Sequence, residues 1–227
     1  MTNPSRHALV VGASRGLGLG LVGELLGRGW TVTATTRGSA PGLDALASPQ
    51  LHADTVDMND DAAVTALHQR LKGTRFDLVF VNAGVSNDSK TPLHEVPRDT
   101  ATQIFQTNTI SPIRFAEVFQ DLVAPGGTIA VMTSILGSVS LNTRGGWEVY
   151  RASKAALNTL ARSFQIRHAD AGWSMVLMHP GWVRTDMGGS AADIDVATSV
   201  RGMVDVLEQP ARGGCVYLNY KGETLTW

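Results

Sequence analysis

The sequence predicts one α/β domain over residues 1–227, a doubly wound parallel sheet of about seven strands with helices on both faces. Three observations carry that expectation. Short β-branched apolar runs alternate with longer helical patterns, the order from which parallel sheets are wound. Leu78-Val79-Phe80-Val81 and Ile129-Ala130-Val131-Met132 are apolar throughout, as strands covered on both faces should be. No repeat, low-complexity tract or Pro/Ser-rich linker divides the 227 residues, a length that open α/β folds reach as a single domain.

Strands are expected at His7–Val11, Trp30–Thr35, Leu51–Val56, Leu78–Asn82, Thr128–Thr133, Ser174–His179 and Val216–Leu218, with helices near 17–28, 60–71, 99–122, 150–170 and 196–208. The first strand runs into Gly12-Ala13-Ser14-Arg15-Gly16-Leu17-Gly18, and a helical pattern follows at once. Glycine there permits a tight turn, close approach of a pyrophosphate and close helix–strand packing, while the helix N-terminus offers unpaired N–H groups to phosphate. Strand before and helix after make this a dinucleotide-site pattern, although Gly20, Gly23, Gly27 and Gly29 show that the region is glycine-rich anyway. A Rossmann fold is the implied architecture.

The second strand ends at Thr36 and Arg37, where an NAD site would place a carboxylate for the adenosine ribose. With Arg15 in the glycine turn, two guanidiniums and a hydroxyl are expected to converge on a 2′-phosphate. At about 1.5–3 kcal/mol for each charge-assisted bond, two arginines would favour NADP over NAD by roughly 10² or more. The plain alternative for either arginine is a solvated surface charge.

Farther along, Ser134 follows the fifth strand, at the carboxyl edge where open sheets bind ligands. Tyr150 and Lys154 lie one turn apart at the start of the helix over 150–170. A phenol with a pKa near ~10 is a poor catalyst at neutral pH, and a nearby ammonium would bring it down. Read singly, each of these residues has an ordinary structural use: a core tyrosine, a solvated lysine, a turn-capping serine, and in Asn108 a satisfied polar group within a helix.

Composition excludes several other classes. Lysine plus arginine number 19 against 20 acidic residues, so no excess of cation is available for a general polyanion binder, and no nucleic-acid partner is expected. The single cysteine, Cys215, rules out an internal disulfide and a Cys-rich zinc site, and is expected to be buried rather than reactive. His52, His68, His94, His168 and His179 are scattered without metal-ligand spacing, and His7, opening a strand, is expected to be exposed; no metal is expected. The opening residues lack an apolar signal region and no uncharged apolar stretch reaches about 18 residues, which points to a soluble cytoplasmic protein with no membrane partner.

Taken together and in order, the glycine turn, Asn82-Ala83-Gly84, Asn108, Ser134, Tyr150-Arg151-Ala152-Ser153-Lys154 and Pro180-Gly181 resemble the short-chain dehydrogenase/reductase family over about residues 7–218. The resemblance implies a role for each. Tyr150 would donate the proton in carbonyl reduction, Ser134 would polarise the carbonyl, and Lys154 would bond the nicotinamide ribose and lower the Tyr150 pKa. Asn108 would hold a relay water. Gly12, Ser14, Arg15, Gly16, Leu17 and Gly18 would cradle the phosphates, and Asp57 with Met58 would contact the adenine. Asn82, Ala83 and Gly84 would pass the adenosine ribose, and Pro180, Gly181, Val183 and Thr185 would clasp the nicotinamide. The family usually pairs through the helices at 99–122 and 150–170, so a homo-oligomer is expected.

Three departures stand out. Val11 replaces the usual Thr, Val81 replaces the first Asn of Asn-Asn-Ala-Gly, and the 16-residue interval from Ser134 to Tyr150 leaves Ser138, at 12 residues, as an alternative. A narrower resemblance to small NADPH-linked carbonyl reductases of the sniffer and C-signal type rests on Ala34-Thr35-Thr36-Arg37, Thr133-Ser134-Ile135-Leu136-Gly137-Ser138, the stretch Gly181–Gly189 and the segment Tyr220–Trp227. The implied activity is hydride transfer from NADPH to a small aldehyde, ketone or quinone. The alternatives are an NADP(H)-binding regulatory protein and an NADP-linked alcohol dehydrogenase. Ile135, Trp147, Trp182 and Met187 are the candidate substrate contacts, and each is equally readable as ordinary packing.

Overall fold

In a computed structural model, which describes residues 6–82, 84–87, 90–209 and 213–227, one parallel sheet holds all seven strands. They are β1 (His7–Val11), β2 (Thr31–Thr36), β3 (Leu51–Thr55), β4 (Phe76–Val81), β5 (Val123–Met132), β6 (Ser174–His179) and β7 (Cys215–Asn219). Their spatial order is β3-β2-β1-β4-β5-β6-β7. The chain winds outward one way from β1 and the other way from β4, so a crevice opens between their carboxyl ends.

Successive strand residues face opposite layers, and the two cores divide on that parity. Leu9 and Val11 of β1 join Phe115, Phe119, Leu157 and Phe164 of one helical layer, while Ala8 and Val10 join Leu21, Leu25, Met203 and Val204 of the other. The helices are α1 (Gly16–Gly27), α2 (Pro41–Asp44), α3 (Asp61–Arg70), α4 (Arg98–Phe105), α5 (Ser111–Phe119), α6 (Glu148–Arg167) and α7 (Val196–Leu207). Asp60 caps α3 by accepting from the N–H groups of Ala62 and Ala63, and Asp195 caps α7 through Thr198 N–H.

The helix expected over 99–122 is interrupted. Between α4 and α5, residues Gln106–Ile110 form a π-helical turn, and Gln120–Leu122 tighten into a 3₁₀ turn. Pro112 explains the opening: it has no N–H to close an α-turn on the carbonyl of Asn108, and its ring crowds that carbonyl. Strand ends shift by a residue or more, and β5 begins at Val123 rather than Thr128. His7 corrects another expectation. It is half-buried, its ring edge-on to Phe76 at 4.7 Å and its Nε2 bonded to Thr33 Oγ1 at 3.0 Å. Cys215 is half-buried at the start of β7, where burial pushes the thiol up to about 12. Residues 225–227 fold back on this sheet, with Leu225 N–H donating to the Tyr217 carbonyl at 2.8 Å.

Candidate active site

At the carboxyl end of β1, Gly12 takes a left-handed φ of 84°, and the N–H groups of Gly12 and Ala13 both donate to the Thr35 carbonyl. Arg15 stands at the N-cap of α1 without a side-chain cap bond, and no acidic residue occupies the first turn, so the helix presents its N–H groups and partial positive charge to the crevice. Gly18 explains why that helix lies so near. A Cβ there would meet the Gly12 carbonyl oxygen at 2.1 Å and Asn82 Nδ2 at 2.6 Å. Asn82 in turn donates from Nδ2 to the Gly12 carbonyl at 3.0 Å, tying the end of β4 to the turn. Val81 is buried in β4 beside Val11 and Val131, an apolar fit where the departure from the family pattern occurs.

The adjoining wall is built from the ends of β2 and β3. Thr36 is buried and donates its hydroxyl to the Gly38 carbonyl at 2.7 Å, and Arg37 beyond it is exposed on the cleft. Asp57 accepts from Asn59 N–H, and the buried Met58 lines the cleft beside it. Arg15 also lines the cleft, its guanidinium bonded to Asp186 at 2.8 Å across the mouth, with both side chains 79% exposed. The two arginines are therefore unequal. Opposite them, Thr185 Oγ1 accepts from Gly188 N–H, and Ser199 donates to the Pro180 carbonyl, which fixes the loop after β6. Pro180, Gly181, Val183 and Thr185 all line the cleft, as do Ser14, Gly16, Leu17 and Gly84. Ala83 lies outside the described residues.

At the other end, Ser134 leaves β5 in extended conformation and caps a single 3₁₀ turn, its Oγ accepting from Leu136 N–H at 3.2 Å. That hydroxyl also stands beside the Tyr150 phenol, in the first turn of α6, close enough to oppose the rise in its pKa. Ser138 is instead engaged with Ser140 Oγ and Leu141 N–H. Lys154, 2% exposed, donates from Nζ to the Met132 carbonyl at 2.9 Å and stands 5.9 Å from the Tyr150 ring centre. Asn108 is fully buried behind the wall, exchanging two hydrogen bonds with the Val85 backbone and donating to Ser153. Burial dominates both titratable groups. It pushes the Tyr150 phenol up to about 12, with only the Ser134 hydroxyl opposing, and pushes Lys154 down to about 8. Desolvation of the buried phenolate thus outweighs the Ser134 hydroxyl at Tyr150.

Trp147 precedes α6 with a left-handed φ of 55° and packs edge-on to Tyr150 at 5.9 Å between ring centres. Ile135, Trp182 and Met187 form exposed parts of the rim, and Trp182 Nε1 donates to the Gly188 carbonyl. The whole cleft encloses about 910 Å³, room for a dinucleotide with a small substrate at its chemical end. Among the described residues no cluster of three or more His, Cys, Asp or Glu could hold a metal ion, and no helix is long and apolar enough to cross a membrane.

Residues 6–194 match the model of the short-chain dehydrogenase family. The chain belongs to that family of oxidoreductases. A short-chain dehydrogenase/reductase from Burkholderia multivorans, solved with bound NADP, superposes with a TM-score of 0.95 at 44% identity, covering 99% of this chain and 100% of that one. The carbonyl reductase Sniffer of D. melanogaster gives 0.92 at 32% identity, covering 98% and 100%. C-signal of Myxococcus xanthus is 37% identical over 155 residues, 66% of this chain and 92% of its own length.

Within this short-chain dehydrogenase, three side chains near the reacting groups escape reading by motif. Asn158 follows Lys154 by one helical turn and accepts from Thr133 Oγ1 at 2.7 Å. Its spacing on α6 was a usable signal. Tyr217 of β7 donates to the Ser134 carbonyl at 2.5 Å, a contact that no local pattern announces. His179, the last residue of β6, lines the cleft with its Nδ1 enclosed and unpartnered among the described residues, and burial pushes its pKa down to about 4.

Proposed function

We propose that this protein reduces the carbonyl group of a small aldehyde, ketone or quinone with NADPH, with Tyr150 delivering the proton to oxygen. The observation that carries the reading is a buried Tyr150 phenol beside Ser134 and a buried Lys154, in the same cleft as the glycine turn, Thr36 and Arg37. The residues present fit the dinucleotide: Gly18 is excluded by contact from being anything larger, and the first turn of α1 faces the crevice uncapped. NADPH bound there would supply the hydride.

The remaining chemistry belongs to this chain. Ser134 holds the carbonyl oxygen by donating its hydroxyl. Tyr150, pushed up to about 12, stays protonated at neutral pH, which is the form a proton donor requires. Lys154, at about 8, is mostly charged at neutral pH and stabilises the phenolate left behind. One of its three N–H bonds goes to Met132, leaving two for ribose hydroxyls. Asn108, in the widened turn, would hold the relay water that returns the proton through its main chain, since its side chain is spent on Val85 and Ser153. Arg37 receives the 2′-phosphate, with Thr36 and Arg15 joining once they leave Gly38 and Asp186. The protein would act in the cytoplasm as a homo-oligomer paired through α4, α5 and α6, a pairing favoured by the exposed Ile110 and Ile166.

A purely regulatory NADP(H) binder has no use for an ammonium buried beside a buried phenol, an arrangement that costs stability. Oxidation of an alcohol would use the same residues in reverse. The test is NADPH oxidation against a panel of aldehydes, ketones and quinones, with Tyr150→Phe alongside. Turnover that vanishes in the variant while NADPH still binds is expected. Tight NADPH binding with no turnover of any panel member would turn the assignment toward the regulatory reading.

A further inference from the structure

The segment that presents Ser134 is held from beneath by parts of the chain far away in sequence. The Ser134 carbonyl accepts from Gly137 N–H at 2.8 Å within its own turn, and from the Tyr217 hydroxyl at 2.5 Å across 83 residues. Tyr217 is 1% exposed in β7, with its hydroxyl beside Asn158, the residue that bonds Thr133. Its ring lies 5.6 Å from that of Trp227, and the Trp227 carbonyl accepts from both the N–H and the Oγ of Ser140, farther along the same loop. Strand, helix and residues 225–227 therefore grip residues 133–140 together.

A phenylalanine would fill the core at position 217 as well as tyrosine does. The hydroxyl is the part that packing does not require, and a buried hydroxyl costs stability unless it is bonded. Its acceptor is the main chain of Ser134, the serine whose hydroxyl acts on the Tyr150 phenol. We infer that Tyr217 is a positioning residue for the reaction, its hydroxyl fixing the Ser134 main chain so that the serine hydroxyl meets both Tyr150 and the substrate oxygen. This rests on the reading in which Ser134 and Tyr150 act on a carbonyl.

The experiment compares Tyr217→Phe with wild type, Ser134→Ala and Tyr150→Phe, using the best carbonyl substrate of the panel. Loosening the serine is expected to lower kcat by about tenfold, since misplacement by an ångström costs up to about 10². NADPH affinity should stay within about twofold, because the phosphate end is untouched. The Tyr150-dependent limb of the kcat–pH profile should move to higher pH, since the Ser134 hydroxyl holds that pKa down. Amide exchange across residues 133–141 should quicken. Trp227→Ala, which keeps the hydroxyl but removes the ring packed on Tyr217, should lower kcat by less. Tyr217→Phe with unchanged kcat and pH limb, whatever its melting temperature, makes Tyr217 ordinary core and overturns the inference. Turnover surviving in Tyr150→Phe overturns the assigned reaction itself and leaves Tyr217 nothing to position. Loss in Tyr150→Phe with none in Tyr217→Phe overturns the Tyr217 role alone.

Discussion

The end of the cleft proposed for phosphate offers backbone N–H groups and exposed guanidiniums, whereas the end proposed for chemistry offers buried side chains, each held by a group from elsewhere in the chain. Arg15 is 79% exposed and shares its charge with an equally exposed Asp186, while Lys154 is 2% exposed and bonded to Met132. Water and salt weaken the first kind of interaction, so the arginines are expected to adjust cofactor preference rather than to decide turnover. Desolvation strengthens the second kind and makes it unforgiving, because a buried polar group that loses its partner has no water to turn to. Single substitutions should therefore shift preference at one end and abolish chemistry at the other.

The largest expected effect is that of Tyr150→Phe. General acid catalysis is worth about 10²–10⁴, so kcat should fall by about 10³ while NADPH affinity, read by fluorescence titration, changes within about twofold. A loss smaller than tenfold would break the contrast, since the chemical end would then tolerate the removal of its acid.

His179 sharpens the same contrast through pH. Its imidazole is pushed down to about 4 in the folded chain, against 6.5 for an open histidine, so as the pH falls through 6.5 the unfolded chain takes up the proton first. Stability is full above about pH 6.5 and declines toward pH 4, by at most about 3 kcal/mol from this one residue. Urea unfolding at intervals from pH 7 to 4 should show that slope flattened in His179→Asn. An equal slope in the two proteins would mean that the ring ionises freely in the cleft wall.

These two tests also mark where sequence reasoning stopped. The glycine turn, the strand before it and the helix after it are neighbours in the chain, and so are Tyr150 and Lys154, which is why both sets are legible as motifs. The interruption around Asn108 was also within reach, because Pro112 stands four residues later. Burial was not. An i, i+4 spacing places a lysine beside a tyrosine but says nothing about how little water surrounds them, and that lack of water moves Tyr150 up rather than down. Long-range partners were equally hidden, since Asp186 reaches Arg15 across 171 residues and Tyr217 reaches Ser134 across 83.

Arg37→Ala addresses the exposed end directly. Losing one charge-assisted bond to a 2′-phosphate, about 1.5–3 kcal/mol, should reduce the ratio of NADPH to NADH affinity by roughly ten- to a hundredfold. Affinity for NADH should change little, and kcat with saturating NADPH should persist. An unchanged ratio would remove Arg37 from phosphate recognition and leave selectivity to Thr36 and Arg15.

Asp186→Asn should have the smallest effect. The substitution keeps the shape of the side chain and removes the charge that occupies Arg15, so the guanidinium becomes available to the dinucleotide without competition. Melting temperature should not move, because an ion pair this exposed contributes little to folding. NADPH affinity should rise by no more than about threefold at low salt, and the gain should fade near 0.5 M salt, as screening over a few ångströms requires. A clear loss of affinity instead would reverse the assignment of Asp186, making the Arg15–Asp186 pair a clasp that closes over the bound dinucleotide rather than a competitor for the arginine. The exposed end would then resemble the buried one in depending on a partner held in place from across the chain.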